Sequence, residues 1–450
     1  MPVIRPLVKP ALALAGAMAL AACSGSKAAT EETLPTWHNA GVNAVSRATV
    51  AAGAAAVTSM RPDGTLETAA VDLATGRRLW SHPAAIAGRL PGMGVQPPAA
   101  VEAAPGRAVV AAVAPAASGK AKATLVVRDA RGGRQLWARP LQSTFGPQRC
   151  GVHICLAENT SLASARMVVL HALTGEVLWK LPGIAEVEWS DSSRVVVLRL
   201  AKHPLLASYD LRTGKLGWRL PLEEALSPGI DLSGGWAFGT AGGDLIGYVA
   251  PYTNPKDDRT STFGLFSVKL ADGAVNWLRP SVVRVYPSGN PGMAPVVRPV
   301  DQQGQYGGFA RLDPASGRVV GQITADQVPG AGWWLAFPSD MSRLGFLKPG
   351  TAGASYDLTS GQAVPLKDER GWSFCVTDPQ PLQLTGAPRG FYSVAALCEF
   401  DLATGKRAEG PGVPPEWFTG SHEGWRLWRD DKGGLHAVRD TTGTAPGMYG

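Results

Sequence analysis

The first side chain equipped for chemistry is Cys23, which follows Leu20-Ala21-Ala22 behind a short apolar run at residues 11–20 and the charges of Arg5 and Lys9. Positive charge, apolar run and small residues in that order make a secretory signal ending in a lipobox. The run is far shorter than the roughly 20 residues a membrane-spanning helix needs. Residues 1–22 are therefore expected to be a lipoprotein signal peptide, and Cys23 the site of a diacylglycerol anchor. The other cysteines, Cys150, Cys155, Cys375 and Cys398, form an even set. In an exported chain they read as disulfides; proximity favours Cys150 with Cys155 and Cys375 with Cys398, although four cysteines allow three pairings. Cys-x4-Cys with only His153 inside it is a poor zinc site. The seven histidines are His38, His82, His153, His171, His203, His422 and His436; they are dispersed, and His171 and His436 read as structural. There is no Gly-x-Ser-x-Gly elbow, His-Glu-x-x-His, phosphate loop or Cys-x-x-Cys-His haem motif. No catalytic, cofactor-binding or metal-ligating residue is assigned, and no cofactor is expected.

The elements that would position any site repeat. A glycine with Asp four residues before it, or Trp four after it, recurs as Gly76, Gly133, Gly175, Gly214, Gly273, Gly317, Gly361 and Gly405. Subtraction gives strides of 57, 42, 39, 59, 44, 44 and 44 residues, and a period near 44 has room for four short strands and their turns. In the unit at residues 70–80, AVDLATGRRLW, two apolar-alternating runs flank Asp-x-x-Thr-Gly, which reads as a hairpin loop. The carboxylate can accept N–H groups inside the turn, and glycine can take a positive φ without steric cost. The closing Trp would bury about 150–250 Å² against the neighbouring unit. A ninth turn signal ends at Gly443, with too few residues after it for a fourth strand. A strand from the N-terminal region is expected to complete that last blade and close the ring.

Ala70, Asp72, Gly76 and Trp80 reproduce the eleven-residue tryptophan-docking pattern A-x-D-x-x-T-G-x-x-x-W, and the chain resembles the pyrroloquinoline-quinone-like (PQQ-like) β-propeller repeat family. The resemblance implies an all-β, eight-bladed propeller of four-stranded antiparallel blades over residues 37–450, after a flexible tether at 23–36. It implies that Trp80, Trp137, Trp179, Trp218 and Trp277 dock between blades. His171 and Lys269 replace the Asp, and Gly321, Pro365 and Glu409 stand where Trp is expected. Family members that bind the quinone commonly use adjacent half-cystines above it, and this chain has no Cys-Cys pair. In layout it resembles the BamB-like propeller lipoproteins.

Removing Arg5 and Lys9 lowers the formal charge from +7 to +5, and the basic residues are scattered through turns, so no nucleic-acid partner is expected. Residues 248–263 lengthen the fifth unit and read as a tolerated surface insertion. The expected protein is a monomeric, lipid-anchored, extracytoplasmic propeller of the cell envelope. It is expected to act as a non-enzymatic scaffold for an envelope protein partner. The alternatives are a small-molecule or glycan sensor using the central funnel, and a PQQ-dependent quinoprotein dehydrogenase.

Overall fold

The computed structural model describes residues 35–86, 95–116, 123–143, 146–158, 165–286, 295–301, 303–329, 334–337, 342–348, 351–365, 370–374, 397–401, 418–430 and 432–439. They form eight antiparallel sheets. In blades one to six the strands run in sequence order. Blade one is Thr49–Ala51, Ala54–Met60, Leu66–Asp72 and Arg78–Pro83, and blade two is Ala99–Ala104, Arg107–Pro115, Ala123–Asp129 and Gln135–Leu141. Blade three is Gln148–Cys150, His153–Glu158, Arg166–Leu170 and Val177–Pro182; blade four is Ile184–Ser190, Arg194–Leu200, Leu205–Asp210 and Leu216–Pro221. Blade five is Trp236–Ala241, Asp244–Val249, Gly264–Val268 and Val275–Pro280, and blade six is Val282–Tyr286, Val296–Pro299, Phe309–Leu312 and Val319–Ile323. The first strands of blades one to five lie against one another in succession. They therefore line the axis, and the fourth strands form the rim. No helix among the described residues is long and apolar enough to cross a membrane.

The repeated turn works through its carboxylate. Asp72 Oδ1 accepts the Ala74 and Thr75 N–H groups and the Thr75 hydroxyl at 3.0–3.2 Å, and Gly76, at φ 68°, donates its N–H to the Asp72 carbonyl. Asp210 and Asp357 hold their turns in the same way. Where His171 replaces the Asp, its Nδ1 lies 3.1 Å from the Thr174 hydroxyl, so the side chain still braces the loop. Each of blades one to six then carries one register shift between its third and fourth strands, at Ala70/Val71 in blade one and Arg311/Leu312 in blade six. The bulge re-aims the outer strand. In the first five blades it leaves the docking Trp directly opposite the last residue before the shift, as in Ala70↔Trp80.

Those indoles lie on the next blade's turn. Trp80, Trp137, Trp179, Trp218 and Trp277 donate Nε1–H at 2.8–2.9 Å to the carbonyls of Ala130, Ala172, Leu211, Leu270 and Pro314, each the residue after the Asp position. The turn glycine beneath has no room for a side chain: a Cβ on Gly133, Gly175, Gly214, Gly273 or Gly317 would meet indole atoms at 2.5–2.7 Å. Apolar clusters fill every seam from blade one to blade six. Burying an indole and satisfying its N–H on the same contact explains why one residue type serves all five seams.

The next seam is built differently. Gly321 stands where Trp is expected, and a Cβ there would overlap the carbonyl oxygen of Leu358, the counterpart of the indole acceptors. The two blades meet backbone to backbone, helped by Gln327 Nε2 donating to the Gly361 carbonyl at 2.9 Å and by Phe309 against Phe346, centroids 5.7 Å apart. The seventh sheet has five strands, in the order Thr351–Asp357, Arg343–Lys348, Trp334–Phe337, Arg370–Phe374, Leu397–Asp401. Two strands preceding turn signals, those ending at Asp357 and Asp401, are its two edges. One sheet thus takes up two of the nine signals, and eight sheets result. The other seven sheets have the four strands expected of a blade, and this one has a fifth.

The last sheet joins the chain ends. Phe418–His422, Trp425–Arg429 and Leu435–Arg439 are completed by Thr36–Asn39, which pairs antiparallel with Leu435–Arg439. Thr36, expected in the tether, is already in this strand. Trp37 then acts as a sixth docking indole: its Nε1 donates to the Leu73 carbonyl at 2.8 Å, and it lies over Gly76. Trp425, Leu427, Leu435 and Ala437 pack with Val57, Val71 and Leu73 of blade one.

Candidate functional site

Ring closure brings together three side chains that are far apart in sequence. Pairing sets His38 opposite His436, and His436 opposite Trp428, so the three share one row across three strands. The Trp428 and His436 rings stack with centroids 5.3 Å apart and planes 9° apart, and His436 and His38 stack at 3.9 Å and 7°. Asp430 follows the Trp428 strand. Its Oδ1 accepts the Lys432 and Gly434 N–H groups at 2.9 and 2.7 Å, fixing the hairpin. That leaves Oδ2 facing the histidines, 2.8 Å from His436 Nε2 and 3.4 Å from His38 Nε2. The three ligand-type atoms lie within 4.8 Å of one another.

Gly434 leaves this cluster uncovered, since a Cβ there would come 2.6 Å from Asp430 Oδ2 and 2.7 Å from His38 Nε2. The His38 side chain is 46% exposed, against 23% for Asp430 and 14% for His436. Partial burial pushes the Asp430 carboxyl up, but the hydrogen bonds from His436 and the Gly434 N–H outweigh it and hold the group below the usual carboxylate range. Burial draws the His436 imidazole below its ordinary value despite the bond to Asp430. A neutral imidazole beside a carboxylate is the form in which histidine binds metals.

A second unusual group lies at the axial end of the seam between blades four and five. The pairing of Ile184–Ser190 with Arg194–Leu200 shifts between Val187 and Trp189, making Glu188 the bulged residue. Burial pushes the Glu188 carboxyl up to about 8; the Trp236 indole, donating at 2.9 Å to Oε1, acts against this, and the charge of Glu186 adds to it. Burial also raises Glu186. Glu188 is therefore protonated at neutral pH, beside Trp189, Trp236 and Phe238 of the seam's apolar cluster.

Among the expected site residues, Cys150 and Cys155 are joined, bridging the two strands of one hairpin across Gly151, with both cysteines buried. Cys23 and Cys375 lie outside the described residues, and for Cys398 only the strand is described. All five predicted indoles dock. Of residues 248–263, Tyr248 and Val249 end the second strand of blade five, and those that follow form a small hairpin bridged at Thr253↔Thr260, tied to the body by Thr262 donating to the Pro228 carbonyl at 2.6 Å. Three features escaped the sequence reading: Trp37, the His38–Asp430–His436 cluster and Glu188. The first two carried a signal, because the N-terminal strand expected to complete the last blade contains both Trp37 and His38.

No family model matches this chain, and no curated protein matches it. Solved structures do. BamB from Moraxella catarrhalis aligns over 91% of this chain and 97% of its own, at 13% identity and a TM-score of 0.45. Quinohemoprotein alcohol dehydrogenase from Comamonas testosteroni aligns over 90% of this chain and 76% of its own, at 12% identity and 0.38. Saccharomyces cerevisiae Sqt1 aligns over 90% and 98%, at 9% identity and 0.40. At these values the likenesses add nothing to what the sheets and seams already establish: a β-propeller of eight sheets whose regular seams are docked by tryptophan.

Proposed function

We propose that the protein is a non-catalytic binding propeller of the cell envelope, held at a membrane by lipid on Cys23 and engaging a protein partner through its rim. One observation carries this reading. Leu216, Val275 and Val319 occupy the same place, two residues after the turn glycine, on the outer strands of blades four, five and six, and they are 46%, 37% and 44% exposed. Leu278 and Val320 extend the row at 37% and 47%. In blades one and two that place holds Arg78 and Gln135, as a solvated rim should. Aliphatic residues repeated at one position on a rigid edge suit an apolar protein segment, which gains free energy by covering them. The test is crosslinking in detergent-solubilised membranes with the parent and with Leu216→Lys/Val275→Lys/Val319→Lys. A partner captured by the parent and lost from the triple variant, with the melting temperature unchanged, supports the reading; equal capture by both refutes it.

A second reading places a small ligand at the axis. Glu186 and Glu188, on one strand at the axial end of the seam with Glu188 bonded to the Trp236 indole, favour it, since a cationic amine bound there would ionise the buried carboxyls and pair with them. A thermal-shift screen with amines separates the two readings, because rim substitutions leave an axial site intact.

A further inference from the structure

We propose that His38, His436 and Asp430 form a binding site for a borderline divalent metal ion of the Zn²⁺ or Co²⁺ type, which staples the N-terminal strand to the last blade. The donor set is two imidazole nitrogens and one carboxylate oxygen, the mix that suits such ions. Ligands about 2.1 Å from a tetrahedral ion stand roughly 3.4 Å apart. Asp430 Oδ2 already lies 2.8 and 3.4 Å from the two Nε2 atoms.

The surroundings add two independent points. The missing side chain at Gly434 leaves open the space beside Oδ2 and His38 Nε2 that any Cβ would fill. The outer contacts also pre-set two of the ligands: Trp428 stacks on His436, and the Lys432 and Gly434 N–H groups hold Oδ1 so that Oδ2 stays aimed at the histidines. Because the imidazole planes lie 7° apart, their lone pairs converge only after one ring turns. His38, nearly half exposed, is the ring able to do so. On binding, the single proton of the neutral His436 ring moves from Nε2, where it bonds Asp430, to Nδ1, and this change of tautomer frees the Nε2 lone pair for the ion.

The ligands come from both ends of the chain, so binding stabilises the closed ring by mass action. The experiment titrates Co²⁺ into the full chain, following visible d–d absorption, and melts the protein with and without Zn²⁺. The parent should saturate at one equivalent and melt higher with Zn²⁺. His38→Ala and Asp430→Asn should each bind at least about tenfold more weakly and lose the Zn²⁺ shift. Circular dichroism of each metal-free variant checks its fold; Asp430→Asn keeps Oδ1 as an acceptor, so one variant remains informative if the other unfolds. No saturable uptake by the parent, or a folded variant binding within about twofold of it, overturns the proposal.

Discussion

Replacing Glu188 by Gln should stabilise the protein at neutral and alkaline pH and do nothing in acid. In the folded chain the Glu188 carboxyl titrates near 8, against 4.5 for the free side chain, chiefly because of burial. An acid with a raised folded-state pKa binds its proton more tightly when folded, so it costs stability as pH rises from the unfolded value to the folded one. At about 1.4 kcal/mol per unit, holding Glu188 protonated in the fold while the unfolded chain ionises costs roughly 4 kcal/mol at pH 7.5 and almost nothing at pH 4. The first figure is a ceiling, because the side chain keeps some contact with water. Gln keeps an Oε1 to accept the Trp236 N–H bond and never ionises. Urea denaturation of parent and Glu188→Gln at a series of pH values from 4 to 9 should give midpoints that coincide at the acid end and diverge above about pH 5, the variant being the more stable. The difference should level off above pH 8. A constant difference, or one favouring the parent at pH 8, would refute the burial of this carboxyl.

Trp218→Ala should cost about 3–5 kcal/mol by denaturant titration, since it empties a seam and removes the bond to the Leu270 carbonyl. Gly321→Trp restores the repeat pattern and should nevertheless destabilise by at least about 2 kcal/mol, because the Leu358 carbonyl occupies the place of the Cβ; a stabilised variant would mean that seam is an ordinary one. Cys150→Ala/Cys155→Ala should lower stability by about 2 kcal/mol in non-reducing conditions, the value for closing so short a loop, and should equal the parent's loss on reduction.

The repeated turn was legible because its parts are local. Asp72, Thr75 and Gly76 lie within five residues and satisfy one another, so their recurrence shows the hairpin in each blade, and a Trp four residues on shows the seam. The Cys150–Cys155 pairing was legible for the same reason. What could not be read depends on contacts between distant segments. Gly321 looks like a lost tryptophan in the sequence, and only the approach of Leu358 shows that a side chain has no room there. The merging of two units into one five-stranded sheet hides behind an unbroken 44-residue stride, because spacing reports turns and not which strands pair. Glu188 is one carboxylate among many until the bulge beside it and the indole of the next blade enclose it. His38 and His436 lie 398 positions apart by subtraction and become neighbours only through a cross-strand register fixed by ring closure.

That closure is tested most directly by a cysteine pair at Thr36 and Val438, which face each other across the joined strands. Directly paired antiparallel residues lie about 4.5–5.5 Å apart at Cα, within reach of a disulfide. Mild oxidation of Thr36→Cys/Val438→Cys, followed by peptide mapping, should recover an intramolecular disulfide between these two positions in the folded monomer. If both thiols stay reduced in folded protein, or pair only between molecules, residues 36–39 do not complete the last sheet and the ring is not closed by its own N-terminal strand.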